Sequence, residues 1–272
     1  GYTGLFSIGH AGFMALGGYA AAVFFTYLHI PFIPAVLLGG LFAGLCSLII
    51  GYPTFRSQLI CAYFAIATFG FAEAIRLILN NAYALGGAFG FTGIPQKTTL
   101  PIVIVFVLLA TYLAHNFVKS QFGKNCIAVG QDELAAQMMG VNVFKTKLTS
   151  LFISAVYCGV AGGLFGFYMA YLVPSMFSSG RSSDMLAAVV FGGMQSLIGP
   201  IITSFVLVAV PEVLRVLAEY RLIIYGLLFV IIMIFKPQGL FGYKEMNFDF
   251  IGRWYNRLFK RQPGKTGRGD QP

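Results

Sequence analysis

"GQDELAAQMMG", Gly130–Gly140, is the stretch on which the fold turns. Two adjacent acids, Asp132 and Glu133, two alanines, two methionines and a closing glycine spell a short helix that does not partition into lipid. Lys119 and Lys124 precede it, and Lys145 and Lys147 follow it. Beyond the lysines the sequence is apolar in both directions. Acids suit the positive end of a helix dipole, and Gly140 suits a left-handed cap at the other end. The expected helix covers about residues 131–140. Leu134, Met138 and Met139 give it an apolar face too short to cross anything. Such a face on a helix outside the bilayer invites a groove on another protein, and methionine suits a surface that must repack. The plainer alternative is a helix lying back on the membrane.

The rest of the chain sets the context for this polar island. Of 272 residues, 58% are hydrophobic and 10% charged, and the mean hydropathy is +0.80. Soluble domains carry about 25% charged residues, so lipid must cover much of this surface. The net charge of +9 then points to basic membrane loops rather than to nucleic acid. Cys46, Cys61, Cys126 and Cys158 show no metal-ligand spacing, and no metal site is expected. The three histidines, His10, His29 and His115, have no carboxylate near them in sequence, and there is no P-loop. No catalytic residues are expected, and the chain is expected not to be an enzyme. It starts at Gly1 in apolar sequence with no basic segment before it. The expectation is a fragment that lacks one or more upstream spans, not a signal peptide.

A bilayer core needs roughly 20 apolar residues of helix, and backbone groups in lipid must be paired internally. The apolar runs show no strict alternation, which excludes a barrel. Expected spans are about 3–28, 32–50, 58–80, 100–118, 148–171, 184–198, 199–217 and 221–235. Thirteen basic residues fall on one side, namely Arg56, the four lysines around the polar island, and eight from Lys236 onward. Arg76, Lys97, Arg181, Arg215 and Arg221 fall on the other. The positive-inside rule places the first set in the cytoplasm. Residues 119–147 and 236–272 are therefore expected inside, and 81–99 and 172–183 outside. From about 243 the tail is basic and then rich in Gly and Pro. Its first part suits anionic lipid, and its last ten residues suit disorder.

Interruptions mark candidate sites. Residues 185–211 carry no charge, too few for two straight spans and many for one. "FGGMQSLIGP", Phe191–Pro200, supplies a break through Gly192, Gly193, Gly199 and Pro200, with Ser196 between them. Transporters place pathways at such breaks; a plain turn is the alternative. "GLFSIGHAGFMALGGY", Gly4–Tyr19, combines close-packing glycines with Ser7 and His10. These polar residues favour a wall facing a cavity, or His10 simply donates to a nearby carbonyl. Glu73 and Arg76, like Glu212 and Arg215, lie three apart and can neutralise each other on one helix face. "LGGAFGFTGIPQ", Leu85–Gln96, is a glycine-rich, uncharged outer loop, suited to a gate, a docking rim or a connector.

Six segments together resemble one family: "GYTGLFSIGHAGFMALGGYAAA", "GYPTFRSQLICAYFAIATFGFAEAIRLIL", "GGAFGFTGIP", "VGQDELAAQMMGVNVFKTKLTSLFISAVYCGVAGGLFG", "VVFGGMQSLIGP" and "YRLIIYGLLFVIIMIFKPQGLFG". In this order they are similar to the M-type permease subunits of bacterial ABC importers for branched-chain amino acids. Urea and short-amide permeases share most of the motifs. The likeness covers residues 1–242, a transmembrane permease domain, and leaves 243–272 as a separate basic tail. It implies an all-α polytopic bundle with broken helices, like the type II permeases of the vitamin B12 importer class. It also implies a coupling helix that docks on an ATPase, with the pattern E-A-A, three residues, G. Here Glu133-Leu134-Ala135-Ala136 precedes Gly140, so the acid sits one place early and Leu134 departs from the pattern. The implied partners are a second permease, two ATPases that bind the ATP, and an extracytoplasmic substrate-binding protein. The implied location is the bacterial cytoplasmic membrane. A secondary transporter, which needs unpaired intramembrane acids, is the rival from another class.

Overall fold

The computed structural model describes residues 1–57 and 61–213. Within them the chain is helical: α1 His10–Thr26, α2 Phe32–Arg56, α3 Cys61–Asn81, α4 Leu100–Lys119, α5 Gln121–Gln131, α6 Glu133–Met138, α7 Val143–Met169, α8 Ser179–Gly192 and α9 Ile198–Val213. Among the described residues there is no β-strand, only an isolated antiparallel bridge between Phe91 and Leu172. Helix α2, α3 from Tyr63, α4 and α7 are each long and apolar enough to cross a bilayer, and α1 is a shorter apolar helix.

The centre of the bundle is α1, α2 and α7 packed on one another. Lipid tails are as apolar as leucine, so helices in a bilayer associate through close packing rather than through a hydrophobic drive. The sequence supplies that closeness with glycine. A Cβ on Gly162 would lie 1.9 Å from the Met14 carbonyl oxygen, and one on Gly17 would lie 2.2 Å from the Gly159 Cα. Phe13, Phe64 and Phe167 fill the fully buried spaces around this seam. Helix α4 is the opposite case: none of its residues is buried, and only Ile102 and Phe106 pack against the core.

Several boundaries differ from the expected spans. The first span begins at His10 rather than near residue 3. Residues 1–9 are not helical, because Gly4 takes a φ of +67° and Gly9 lies so close to Thr68 that a Cβ would meet its carbonyl at 2.6 Å. Helix α2 runs on to Arg56, with Pro53 inside its last turn. The expected outer loop 172–183 is largely ordered, as a short 3₁₀ turn Pro174–Phe177 and the start of α8 at Ser179. The expected span 184–198 therefore begins earlier and stops at Gly192. The expected span 148–171 starts at Val143, which shortens the connecting loop. The expected span at 221–235 and the tail lie outside the described residues, as does the partner residue Arg215. At the other E-x-x-R pair, Arg76 Nε donates to Glu73 Oε2 at 2.7 Å.

Candidate functional site

Two places collect the residues singled out by sequence. The first is α6. Asp132 is its N-cap: Oδ1 accepts from Leu134 N at 2.8 Å and from Ala135 N at 3.0 Å. The aspartate thus satisfies two of the amide groups that a helix start leaves unpaired. The helix is shorter than expected, six residues rather than ten. The residues before it form a separate amphipathic helix, α5, which buries Gly123, Cys126 and Val129. Periodicity in this stretch was the signal, and the lysines around it obscured it. Gly140 takes φ +82°, and its N–H donates to Gln137 O at 3.0 Å, so it does end the turn in the left-handed region that favours glycine.

The faces of α6 are unequal. Leu134, Met138 and Met139 are 72%, 87% and 84% exposed, and Ala135 is also exposed. Ala136 is only 5% exposed. The two alanines are thus unlike: Ala136 packs inward on its own chain, and Ala135 stays outside. Glu133 forms an ion pair with Lys147 in the second turn of α7. Sequence reading used Lys147 only to orient the chain. Its burial, 8% exposed, has no sequence signal beyond a lysine entering an apolar run.

The second place is a cavity of about 340 Å³ among α1, α3, α4, α5, α7, α8 and residues 1–7. Ser7 and His10 both line it, together with Tyr157, Ser150 and Ser154 of α7. His10 Nε2 and Ser154 Oγ share a hydrogen bond of 2.7 Å, and the ring also bonds the Ser7 backbone, so a hydroxyl and a nearby backbone group both hold it. Cys158, one turn on, donates its thiol to the His10 carbonyl at 3.0 Å. The break in helix before α1 is pinned from two further sides. Ile8 N donates to Thr68 Oγ1 at 3.2 Å, and Ala11 N to Ser182 Oγ at 3.1 Å. Non-helical backbone shielded from water is tolerated where protein satisfies it or a cavity adjoins it, and here both are present. Burial raises the pKa of the Cys126 thiol on α5 above its ordinary value, so this wall presents a neutral group.

The α8–α9 break adjoins this cavity without opening into it through its glycines. Val189 and Leu197 form the wall. Gly192 and Gly199 face each other instead: a Cβ on Gly199 would lie 2.0 Å from the Gly192 carbonyl oxygen, and one on Gly192 would lie 2.3 Å from Pro200 N. Gly193 takes φ +108°. Ser196 is buried, and its Oγ accepts from Gly199 N at 3.0 Å. These five residues form a tight turn between two packed helices, so the structure unites Ser7 with His10 but keeps the turn residues apart from them. Among the described residues no group of three or more His, Cys, Asp or Glu side chains is placed to hold a metal ion.

Known proteins share this chain's sequence over most of its length. A family described as the permease component of a branched-chain amino acid transport system matches residues 1–233. The chain is 30% identical over 275 residues to the high-affinity branched-chain amino acid transport system permease protein LivM of Escherichia coli (strain K12). That match covers 88% of this chain and 64% of LivM, so the chain spans a little under two thirds of that relative's length. A probable branched-chain amino acid permease, LivH of Methanocaldococcus jannaschii, is 32% identical over 143 residues, 51% of this chain and 41% of its own. The guanosine ABC transporter permease NupQ of Bacillus subtilis is 30% identical over 114 residues, 42% of this chain and 34% of its own. No solved structure matches significantly. With its run of spanning helices, this chain is a multi-pass membrane protein and belongs to the family of branched-chain amino acid transport permease components.

Proposed function

We propose that the chain is the permease subunit of an ATP-driven importer of branched-chain amino acids and forms half of an alternating-access pathway. One observation carries this reading: a short capped helix outside the spanning helices presents Leu134, Met138 and Met139 to solvent. An apolar face with no partner among the described residues suits a docking surface, and the likeness to LivM supports an ATPase as the partner. Asp132 caps that helix, Glu133 and Ala136 anchor it, Ala135 lets a groove approach, and Gly140 turns the chain back. ATP is bound by two partner ATPases, so this chain carries no cofactor and no catalytic residue. A second permease completes the pathway, and an extracytoplasmic binding protein delivers the substrate.

In this reading α6 and the basic residues around it face the cytoplasm of a bacterial cell, following the positive-inside rule. The type II permease class of the vitamin B12 importer is the architecture that best suits a chain with non-helical residues before α1 and a glycine turn between α8 and α9. Ser7, His10 and the break at Gly192–Pro200 then border the moving parts. A secondary transporter fits less well, because Glu73 is already paired with Arg76.

The test is reconstitution. The chain is co-expressed with the permease, ATPases and binding protein encoded beside it, and the complex is placed in liposomes. Uptake of labelled leucine is compared with that of urea, acetamide and guanosine. Leucine uptake that needs internal ATP supports the proposal. Uptake driven by an ion gradient without ATP overturns it, and ATP-driven uptake of one of the other solutes alone reassigns the substrate.

A further inference from the structure

The tie between α6 and α7 has its own logic. A lysine ammonium buried without a partner is costly. Lys147 is 8% exposed, and Glu133, a half-exposed residue on α6, is its ion-pair partner. Helix α6 is short, six residues of which Ala136 is buried, and among the described residues it meets α5 and α7. Its connector to α7 passes through Gly140, where φ is +82° and an added Cβ would meet nothing within 4 Å. Within that connector Gly140 N–H donates to Gln137 O and Val141 N–H to Ala136 O, so these bonds close on α6 itself and do not reach α7. Helix α7, by contrast, is fixed against α1 and α2 at backbone distance through Gly159 and Gly162.

We propose that the Glu133–Lys147 ion pair is a strut that makes α6 and the first turns of α7 one rigid body, so that displacement of α6 drives α7 instead of being absorbed at Gly140. The inference rests on α6 being the ATPase-docking helix and deepens that reading. Lys147 is then a positioning residue. Glu133 is engaged within its own chain, and the docking contact falls to Leu134, Met138 and Met139. This gives the one-place shift of the acid a physical role: from Glu133 the carboxylate reaches Lys147.

Two measurements on the full chain test it. In lipid nanodiscs, amide hydrogen exchange of the segment 131–141 is followed in the unaltered protein, in Glu133→Gln, in Lys147→Met and in Lys147→Arg. Glu133→Gln alters an exposed position but leaves the Lys147 ammonium without its carboxylate, whereas Lys147→Met also removes that charge. Glu133→Gln and Lys147→Met should speed exchange in α6 by about tenfold, the scale expected for losing one bond to a charged group, and Lys147→Arg should restore protection. Unchanged exchange in Glu133→Gln overturns the strut. In the reconstituted complex, both neutral variants should keep ATPase co-purification while the ATP hydrolysed per labelled leucine imported rises about fivefold or more, roughly 1 kcal/mol of lost coupling. An unchanged ratio with a loosened α6 overturns the role of the strut in transmission. If the unaltered chain binds no ATPase, the docking reading fails, while the exchange measurement still decides whether the tie exists.

Discussion

Helix α7 meets its neighbours in two different ways along its length. In its middle, glycines bring it to backbone contact with α1 and α2, leaving no room for even a methyl group. Near its start it meets α6 through an ion pair, with three large apolar side chains of α6 left outside. The first junction is held by shape and can neither slide nor open without a steric penalty. The second is held by a few specific bonds and leaves its outer face free. A transport subunit needs both kinds: a seam that keeps its helices together in lipid, and an attachment that passes movement on without being swallowed by the core.

The contrast predicts a ladder of effects. The steepest is Gly162→Ala. Its new Cβ would sit 1.9 Å from the Met14 carbonyl oxygen, so α1 and α7 must part along the seam. Overpacking typically costs about 1–3 kcal/mol and sometimes more. We expect the upper end, read as loss of a monodisperse peak and a lower unfolding temperature in detergent. A variant that is as stable as the parent would mean the seam is not held by shape.

Ser154→Ala comes next. It removes the hydroxyl that His10 bonds at 2.7 Å and leaves a polar ring atom at the cavity wall. The expected cost is about 1–3 kcal/mol, the usual penalty for an unsatisfied buried group. Ser154→Thr, which keeps the hydroxyl, should lose less. Equal loss in the two would show that volume, not the bond, matters there.

Gly140→Ala makes the same chemical change as Gly162→Ala in open space. Only its φ of +82° opposes a side chain, which costs about 1–2 kcal/mol, and Gly140→Asn should cost less because asparagine tolerates that conformation better. Hydrogen exchange around α6 is the measurement. If Gly140→Ala destabilises the whole chain as much as Gly162→Ala, the two junctions are not distinct. The smallest effect on stability belongs to Met138→Ser, 87% exposed and expected to stay within about 0.5 kcal/mol of the parent. ATPase co-purification should nevertheless fall. Unaltered binding would show that this face of α6 is not the docking surface.

The sequence makes some of this legible and hides the rest for physical reasons. Apolar length and lysine placement locate α2, α3 and α4 to within a few residues at most boundaries, because a bilayer imposes a length on any helix that crosses it. Asp132 and Gly140 announce α6 through side-chain and backbone chemistry that acts locally. The start of α1 is illegible: residues 1–9 are as apolar as a span, and contacts with Thr68, Gly130 and Met194, far along the chain, hold them in a non-helical path. The partner of His10 is hidden in the same way, since Ser154 lies 144 residues away. Ala136 shows what a motif leaves out. A motif marks two alanines as alike, while helical rotation turns one out and one in.

Phe91 and Leu172 exchange two backbone hydrogen bonds, of 2.8 and 3.0 Å, and the Tyr19 hydroxyl donates to the same Leu172 carbonyl at 2.9 Å. Lys97 N donates to Phe167 O a few residues away. The connection from α3 to α4 is therefore stitched to the connection from α7 to α8, with α1 sewn to the same knot. A fluorophore or spin label attached to either connection would report on both. Three stretches far apart in the chain share one hem, and a pull on any of them is felt by four helices beyond it.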